Sequence, residues 1–177
     1  MISLAATPSL TTRRLILRAP QAQDFPHWQT FAQSDRAAFV GGPMTEANAW
    51  RAFCHVIGMW VLRGYGTFII QLKDDPTPIG MCGPWYPLDW PEAELGWSLW
   101  QPEAEGQGFA FEATSAARDH AFSALGWTSA VSYIDPANSR SIALAKRLDA
   151  RPDASAARPF PADDVLAFRH RKPVSAA

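Results

Sequence analysis

Hydrophobic positions change their period along this chain, and each change marks an element. "RRLILR" (Arg13–Arg18) alternates polar and apolar residues, the two-residue period of a half-buried strand. In "DFPHWQTF" the spacing lengthens. Phe25, Trp28 and Phe31 share one helical face, Asp24 stands where a cap belongs and Pro26 suits the first turn. A second helix is expected from Thr45, its N-cap, to Arg63, with Gly64 as its stop and Trp50, Phe53, Ile57 and Val61 as its apolar face. Three strands follow, Thr67–Leu72, Pro78–Tyr86 and Ala93–Trp100, joined by the turn formers "KDDPT" and "PLDWPE". Then come a helix from about Gly108 to Leu125, a strand over Thr128–Ile134 and a helix over Asn138–Leu148. The Pro-rich loop "RPDASAARPFPADD" leads to a closing strand, Val165–His170.

The order, β-α-α-β-β-β-α-β-α-(short β)-β, predicts an α/β protein with a central mixed sheet and helices on both faces. The chain of 177 residues is expected to form one domain over 1–177, with 1–11 and 171–177 as frayed tails. Hydrophobic residues make up 47%, which argues against disorder. A net charge of −1 gives no nucleic-acid or membrane-surface footprint. The N-terminus has no basic start or sustained apolar run, so no signal peptide is expected. Cys54 and Cys82 form no CxxC and no disulfide framework, which suits a reducing cytoplasm. Eight tryptophans are many for this length; they pack a core or line an aromatic pocket.

One stretch, "QPEAEGQGFAFEA", joins a strand to a helix through Gly106, Gly108 and Ala110 at every second position. Glycines let backbone approach a ligand closely. The helix start adds unpaired N–H groups and positive partial charge, so the loop could cradle phosphate. A plain structural turn is an equally common use of such a loop. A Walker loop is excluded, because Phe109 and Ala110 stand where Lys and Ser/Thr would be needed. A dinucleotide fingerprint is disfavoured by Phe111 at its third small position and by "QPEAE" between strand and glycines, although Asp135 could mimic its ribose-binding acid. The pyrophosphate of coenzyme A is left.

Here the chain resembles the GNAT superfamily of N-acetyltransferases, in the branch of the bacterial ribosomal-protein N-terminal acetyltransferases. "EGQGFAFEA" resembles the acetyl-CoA loop, "NSRSIALAKRLDA" the second signature, "TTRRLILR" the opening strand and "AELGWSLW" the Glu-Ile-Gly-Trp/Tyr strand. These four lie in the family's order over roughly residues 10–170. The resemblance implies that acetyl-CoA is a co-substrate; no metal is expected, because His27, His55, His120 and His170 show no metal-ligand spacing. It implies that Ser98, Leu99 and Trp100 bind the pantetheine through their backbone. Glu105, Gly106, Gln107, Gly108, Phe109 and Ala110 would bind the pyrophosphate through N–H groups, and an N–H near Leu99 would polarise the thioester carbonyl. The span from Glu94 to Gly106 is about one residue longer than the commoner family spacing, so a bulge is expected near Trp100 or Gln101. Two departures stand out. Glu105 replaces the usual Gln or Arg and is expected to turn its carboxylate to solvent. Ala145 occupies the position of the Tyr acid found in many members, which leaves Ser141 as the nearest proton donor for the leaving thiolate.

Acetyl transfer to an amine needs a free amine, a polarised carbonyl and a proton for the thiolate. Glu94, on the strand assigned to the cofactor, is the candidate base; an ordinary strand-edge charge is the alternative, as is a helix cap for Asn138, whose amide could also bond the pantetheine. Glu92 lies in a turn and is the weaker base, and Glu112 suits the helix dipole. His120 is expected on a helix surface and His55 near the acceptor. Cys82 is expected to be a buried strand cysteine. The acceptor pocket is expected from Phe39–Met44, the "PWYPLDW" turn and the "RPFPADD" loop, with Trp85, Tyr86, Trp90 and Trp97 as an aromatic wall. That wall favours an apolar or planar acceptor over a polycation. Expected partners are a small-molecule or peptide amine acceptor and a second copy in a homodimer, with neither nucleic acid nor membrane. A non-catalytic acyl-CoA sensor on the same fold is the alternative function.

Overall fold

The computed structural model describes residues 7–159 and 164–172. Along them run β1 (Leu10–Thr11), β2 (Leu15–Arg18), α1 (Phe25–Ala32), α2 (Glu46–Arg63), β3 (Phe68–Leu72), β4 (Pro78–Trp85), β5 (Glu94–Leu99), α3 (Phe109–Ser123), β6 (Ala130–Ile134), α4 (Ser139–Arg147), β7 (Arg151–Pro152) and β8 (Leu166–His170). A short 3-10 helix, Asp35–Val40, leads from α1 toward α2. The strands form one sheet in the order β1-β2-β3-β4-β5-β6-β8-β7. Every neighbouring pair is antiparallel except β5–β6, which is parallel. The sheet is the expected mixed one.

Adjacent residues of the central strands serve opposite layers. Phe68, Ile70 and Cys82 pack with Leu15, Leu17, Ala113 and Ala117 on the α3 side. Ile69 and Met81 pack with Phe31, Phe53, Val56 and Trp100 on the α1–α2 side. Burial on both faces explains why "FII" and "MC" are continuous apolar runs where a one-sided strand would alternate. The small face of α3, Ala113, Ala117 and Ala121, is fully buried and brings the helix close to β4.

Thr45 caps α2, accepting from the Asn48 N–H, and Gly64 ends it at φ +74°. The buried stripe of α2, however, is Ala49, Phe53, Val56 and Trp60. Trp50 is 53% exposed and Val61 66%. The helical spacing is as expected, but the stripe is turned by one residue. Two partners fix that rotation: Trp28 Nε1 donates to the Ala49 carbonyl (2.8 Å) and Trp60 Nε1 to the Thr67 carbonyl (3.1 Å). Trp50 stacks edge-on against Phe25 at 4.9 Å.

Three other expectations change. Leu10 and Thr11, expected in a frayed tail, pair with Leu17 and Ile16. Asp24 precedes α1, but its buried carboxylate binds Arg18 through two hydrogen bonds (2.7 and 2.8 Å) rather than capping the helix. His120 is only half exposed; its ring stands edge-on to Phe68 at 5.6 Å.

Candidate active site

The site begins where the sheet opens. The β5–β6 ladder holds one residue pair, Glu94↔Val131. Beyond it, side chains replace the ladder: the Glu94 carboxylate accepts from the Tyr133 N–H (3.3 Å), and the Ser132 hydroxyl donates to the Leu95 carbonyl (2.6 Å). On the other edge, β5 keeps unbroken register with β4 from Trp85↔Glu94 to Gly80↔Leu99. The Trp100 N–H continues that edge by donating to the Ile79 carbonyl (2.8 Å). The bulge expected near Trp100 is therefore not in this ladder. Backbone groups alternate in direction along a strand, so Ser98 and Trp100 point theirs at β4 and Trp97 and Leu99 point theirs into the gap. Of the three residues expected to present backbone there, only Leu99 does.

A cavity of about 420 Å³ lies on one side of the gap, lined by Ser98, Leu99, Glu105, Gly106, Gly108, Phe109, Ala110, Asn138 and Ser141 among others. Gly106 and Gly108 stand at φ +73° and +78°, the left-handed region that glycine enters without strain. Arg14 anchors the loop. Its Nη1 donates to the Gln107 carbonyl (3.0 Å), its guanidinium lies 4.4 Å over the Phe109 ring, and its Nε pairs with Glu112 (2.7 Å). Burial opposes the Glu112 charge, but hydrogen bonds from Thr12, the Arg14 N–H and the Arg14 side chain hold its pKa at about 2. Gln107 and Trp100 line neither cavity. The Trp100 ring belongs to the α1–α2 core, 5.8 Å from Trp28.

Glu105 does not turn to solvent. Its carboxylate joins Arg36 (2.7 Å) and Arg140. Arg36 also donates to the Leu99 carbonyl (3.2 Å), and its buried Nε has no partner. With Arg147, these arginines give the first cavity three guanidiniums around a glycine loop at a helix N-terminus. That arrangement fits a polyphosphate. Arg36 and Arg140 escaped the sequence reading because "SDRAAF" and "NSRS" look like solvated surface. Their signal was the unexplained Glu105, a carboxylate that needs cations beside it.

A second cavity, of about 590 Å³, opens on the other side. Trp85, Trp90 and Trp97 line it with Tyr133 and His55, and Phe39, Val40, Gly41 and Met44 join as expected. Tyr86 does not: its ring lies under the Arg63 guanidinium at 5.2 Å, outside the lining. Of the "RPFPADD" loop, Pro159 reaches the cavity, while Phe160–Asp163 lie outside the described residues. Glu94 sits in this cavity and accepts from Trp90 Nε1 (2.6 Å). Burial lifts its carboxyl to about 7 against the pull of the hydrogen bonds from Trp90 and the Tyr133 N–H. Glu92 goes the other way, held below the usual carboxylate range by hydrogen bonding to Arg169. A group so held is a poor base at neutral pH.

Trp97, Ser98, Asn138 and Ser141 line both cavities, with Phe39 and Val40. Trp97 Nε1 donates to Ser141 Oγ (3.2 Å), which leaves the serine's own proton available to another acceptor. The Asn138 side chain accepts from the Ser141 N–H (3.1 Å), so it does cap α4. Ala145 is fully buried among Ile134, Ala150 and Phe168. Cys82 is fully buried too, and burial pushes its thiol up to about 12. Among the described residues, no group of three or more His, Cys, Asp or Glu could hold a metal ion, and no helix is long and apolar enough to cross a membrane.

The chain belongs to the GNAT acetyltransferase family: the model of the acetyltransferase (GNAT) domain matches residues 14–151. Its fold is similar to that of an acetyltransferase from Agrobacterium tumefaciens str. C58, at 38% identity and a TM-score of 0.88, over 93% of this chain and 95% of that one. Two more distant likenesses concern the fold alone. One is RimL, a ribosomal L7/L12 alpha-N-protein acetyltransferase in complex with coenzyme A, at 20% identity, TM-score 0.71, over 94% of this chain and 97% of that one. The other is a ribosomal-protein-S5-alanine acetyltransferase from Vibrio fischeri, at 15% identity, TM-score 0.71, over 93% and 97%. No curated protein matches the chain. As a family member the protein is an acetyl-CoA-dependent acyltransferase.

Proposed function

We propose that this acetyltransferase acts on a primary amine, by direct attack on acetyl-CoA in a ternary complex, with the chain working as one catalytic domain. The acceptor classes that fit this reaction are a protein N-terminus, an amino acid and a small amine. One observation carries the reading: two cavities of opposite character meet at Trp97, Ser98, Asn138 and Ser141, and Glu94 faces the one without the glycine loop.

Glu94 takes the proton of the incoming ammonium, directly or through water. A carboxyl near 7 is matched to that task at neutral pH, being ionised often enough to act and basic enough to accept. The amine lone pair then forms the C–N bond at the thioester carbonyl. The Leu99 N–H, directed into the strand gap, donates to the carbonyl oxygen as its charge grows. The C–S bond breaks, the Ser141 hydroxyl gives the sulfur its proton, and the serine is reprotonated through water by the second proton that the nitrogen sheds. Arg36, Arg140 and the N–H groups of Glu105, Gly106, Gly108, Phe109 and Ala110 hold the phosphates, and the Asn138 amide bonds the pantetheine while it caps α4. Trp85, Trp90 and Trp97 hold the body of the acceptor.

The test is thiol release from acetyl-CoA with and without an amine panel, with products identified by mass. Amine-dependent release is expected, with kcat/KM rising through about pH 7 as Glu94 loses its proton. Tight coenzyme A binding without any amine-dependent release would sink the proposal.

A further inference from the structure

The second cavity has an unusual charge inventory. Among the described residues its lining holds two carboxylates, Glu94 and Asp135, one imidazole, His55, and no lysine or arginine. Two guanidiniums outside the lining, those of Arg158 and Arg169, act on Tyr133. Arg158 donates from Nε to the Val165 carbonyl (3.1 Å) and from Nη1 to the Ala156 carbonyl, and Arg169 pairs with Glu92 and Asp153. The remaining wall is largely aromatic: Trp85 stands edge-on to Trp90 at 6.4 Å, and Trp90 to Tyr133 at 6.5 Å. Indole faces and carboxylates attract an ammonium. A second charge of the wrong sign would enter beside Glu94 without a lysine or arginine in the lining to pair with it.

Resting on the proposed amine acetylation, we infer that the acceptor is a primary ammonium on an apolar or aromatic body that carries no carboxylate next to the amine. A free α-amino acid brings a carboxylate two bonds from the reacting nitrogen, where it would meet Glu94 and Asp135. It is excluded on charge, whatever its side chain. Arylalkylamines satisfy the rule, and so does an amide-capped residue, the chemistry of a peptide N-terminus. Asp135, exposed at the cavity's rim, is the discriminating group whose charge can be tested separately from Glu94. Its Oδ1 accepts from the Ala137 N–H (2.7 Å), a bond that an asparagine oxygen can keep, so its charge can be removed while the turn stays.

Phenylethylamine, phenylalanine amide and phenylalanine share one ring and one amine and isolate the carboxylate. Each is measured twice: by kcat/KM with acetyl-CoA, and by calorimetric binding to the coenzyme A-loaded protein. Phenylalanine is expected to be at least ~30-fold poorer than both others in each measurement, the lower end of what an unpaired buried charge costs. The order of the other two separates a small-amine acceptor from a peptide-like one. Asp135→Asn should raise KM for phenylethylamine several-fold and narrow the gap to phenylalanine. The same preference in binding without turnover would uphold the inference and sink the catalytic proposal. Phenylalanine equal to its amide would overturn the inference and leave catalysis standing. If none of the three binds, the inference falls as well.

Discussion

The two cavities that meet behind β5 use opposite means on neighbouring stretches of one strand. The first is made of backbone and guanidinium: glycines at positive φ, a helix start, and Arg36, Arg140 and Arg147. The second is made of indole rings and two carboxylates, with no lysine or arginine among the described residues that line it. Cations suit a highly charged donor that is alike in every turnover. A desolvated carboxylate, Glu94, suits a group that must give up a proton on arrival. Burial explains much of the difference. Glu92 has Arg169 and stays a spectator anion, while Glu94, two residues on, has only hydrogen-bond donors and is lifted to about 7.

The largest effect should come from removing that lifted carboxyl. Glu94→Gln is expected to lower kcat by ~10²–10⁴-fold and to leave coenzyme A affinity unchanged, with the deficit shrinking at high pH as free amine accumulates. The same change carries a stability signature. The folded-state value of Glu94 is raised above that of the unfolded chain, roughly 4.3. Its contribution to stability is therefore fully present below the unfolded value and is lost as pH rises through about 7. From pH 5 to pH 8, the difference in melting temperature should move in favour of the Gln variant. A wild-type rate at neutral pH would make Glu94 an ordinary strand charge.

Next is Arg36, which lines only the first cavity. Losing one charge-assisted phosphate contact should weaken coenzyme A ~10–100-fold by calorimetry, most strongly at low salt, with amine KM unchanged. An equal change in amine KM would mean that the cavities do not work separately.

Gly108→Ala comes third. A Cβ there would meet Arg14 Nη2 at 3.6 Å, an ordinary contact, so the obstacle is the φ of +78° and not crowding. The strain should cost roughly 1–2 kcal/mol and lower the melting temperature by several degrees. Coenzyme A affinity should fall with it. An unchanged melt would show that the loop relaxes around the added methyl group.

The positions that periodicity and turn chemistry could locate were legible in the sequence. The strands, the Thr45 cap, the Gly64 stop and the glycine loop follow from local rules about where side chains and φ angles can go. The rest depends on packing between elements far apart in sequence. Apolar residues stand side by side at 49/50, 56/57 and 60/61, so two faces of α2 satisfied the same spacing; the Trp28–Ala49 hydrogen bond chooses between them. Tyr86 resembled a pocket residue because aromatic identity says nothing of direction, and the strand likeness that put Trp100 at the cofactor does not say which edge its backbone faces. Glu94 was legible as a carboxylate on the right strand, but its lift to about 7 comes from burial between elements far apart in sequence, which has no local signature.

The smallest expected effect concerns the one charge that breaks the comparison, a carboxylate inside the basic cavity. Glu105 holds Arg36 and Arg140 where a phosphate would want them. Two forces on coenzyme A binding follow, and they oppose each other. The ion pairs keep both guanidiniums in place, which favours binding. The negative charge repels the incoming phosphates and competes for the same N–H donors. Arg36 is also fixed by the Leu99 carbonyl and by burial of its Nε, so it needs little help from Glu105. Arg140, 74% exposed at its side chain, gains little from an ion pair in water. Repulsion should therefore win. Glu105→Gln is expected to tighten coenzyme A about threefold at low ionic strength, within the size of an exposed charge interaction, and the gain should fade with added salt. Weaker binding by the Gln variant at every salt concentration would mean that Glu105 organises the site, and that the acid belongs to the phosphate cradle.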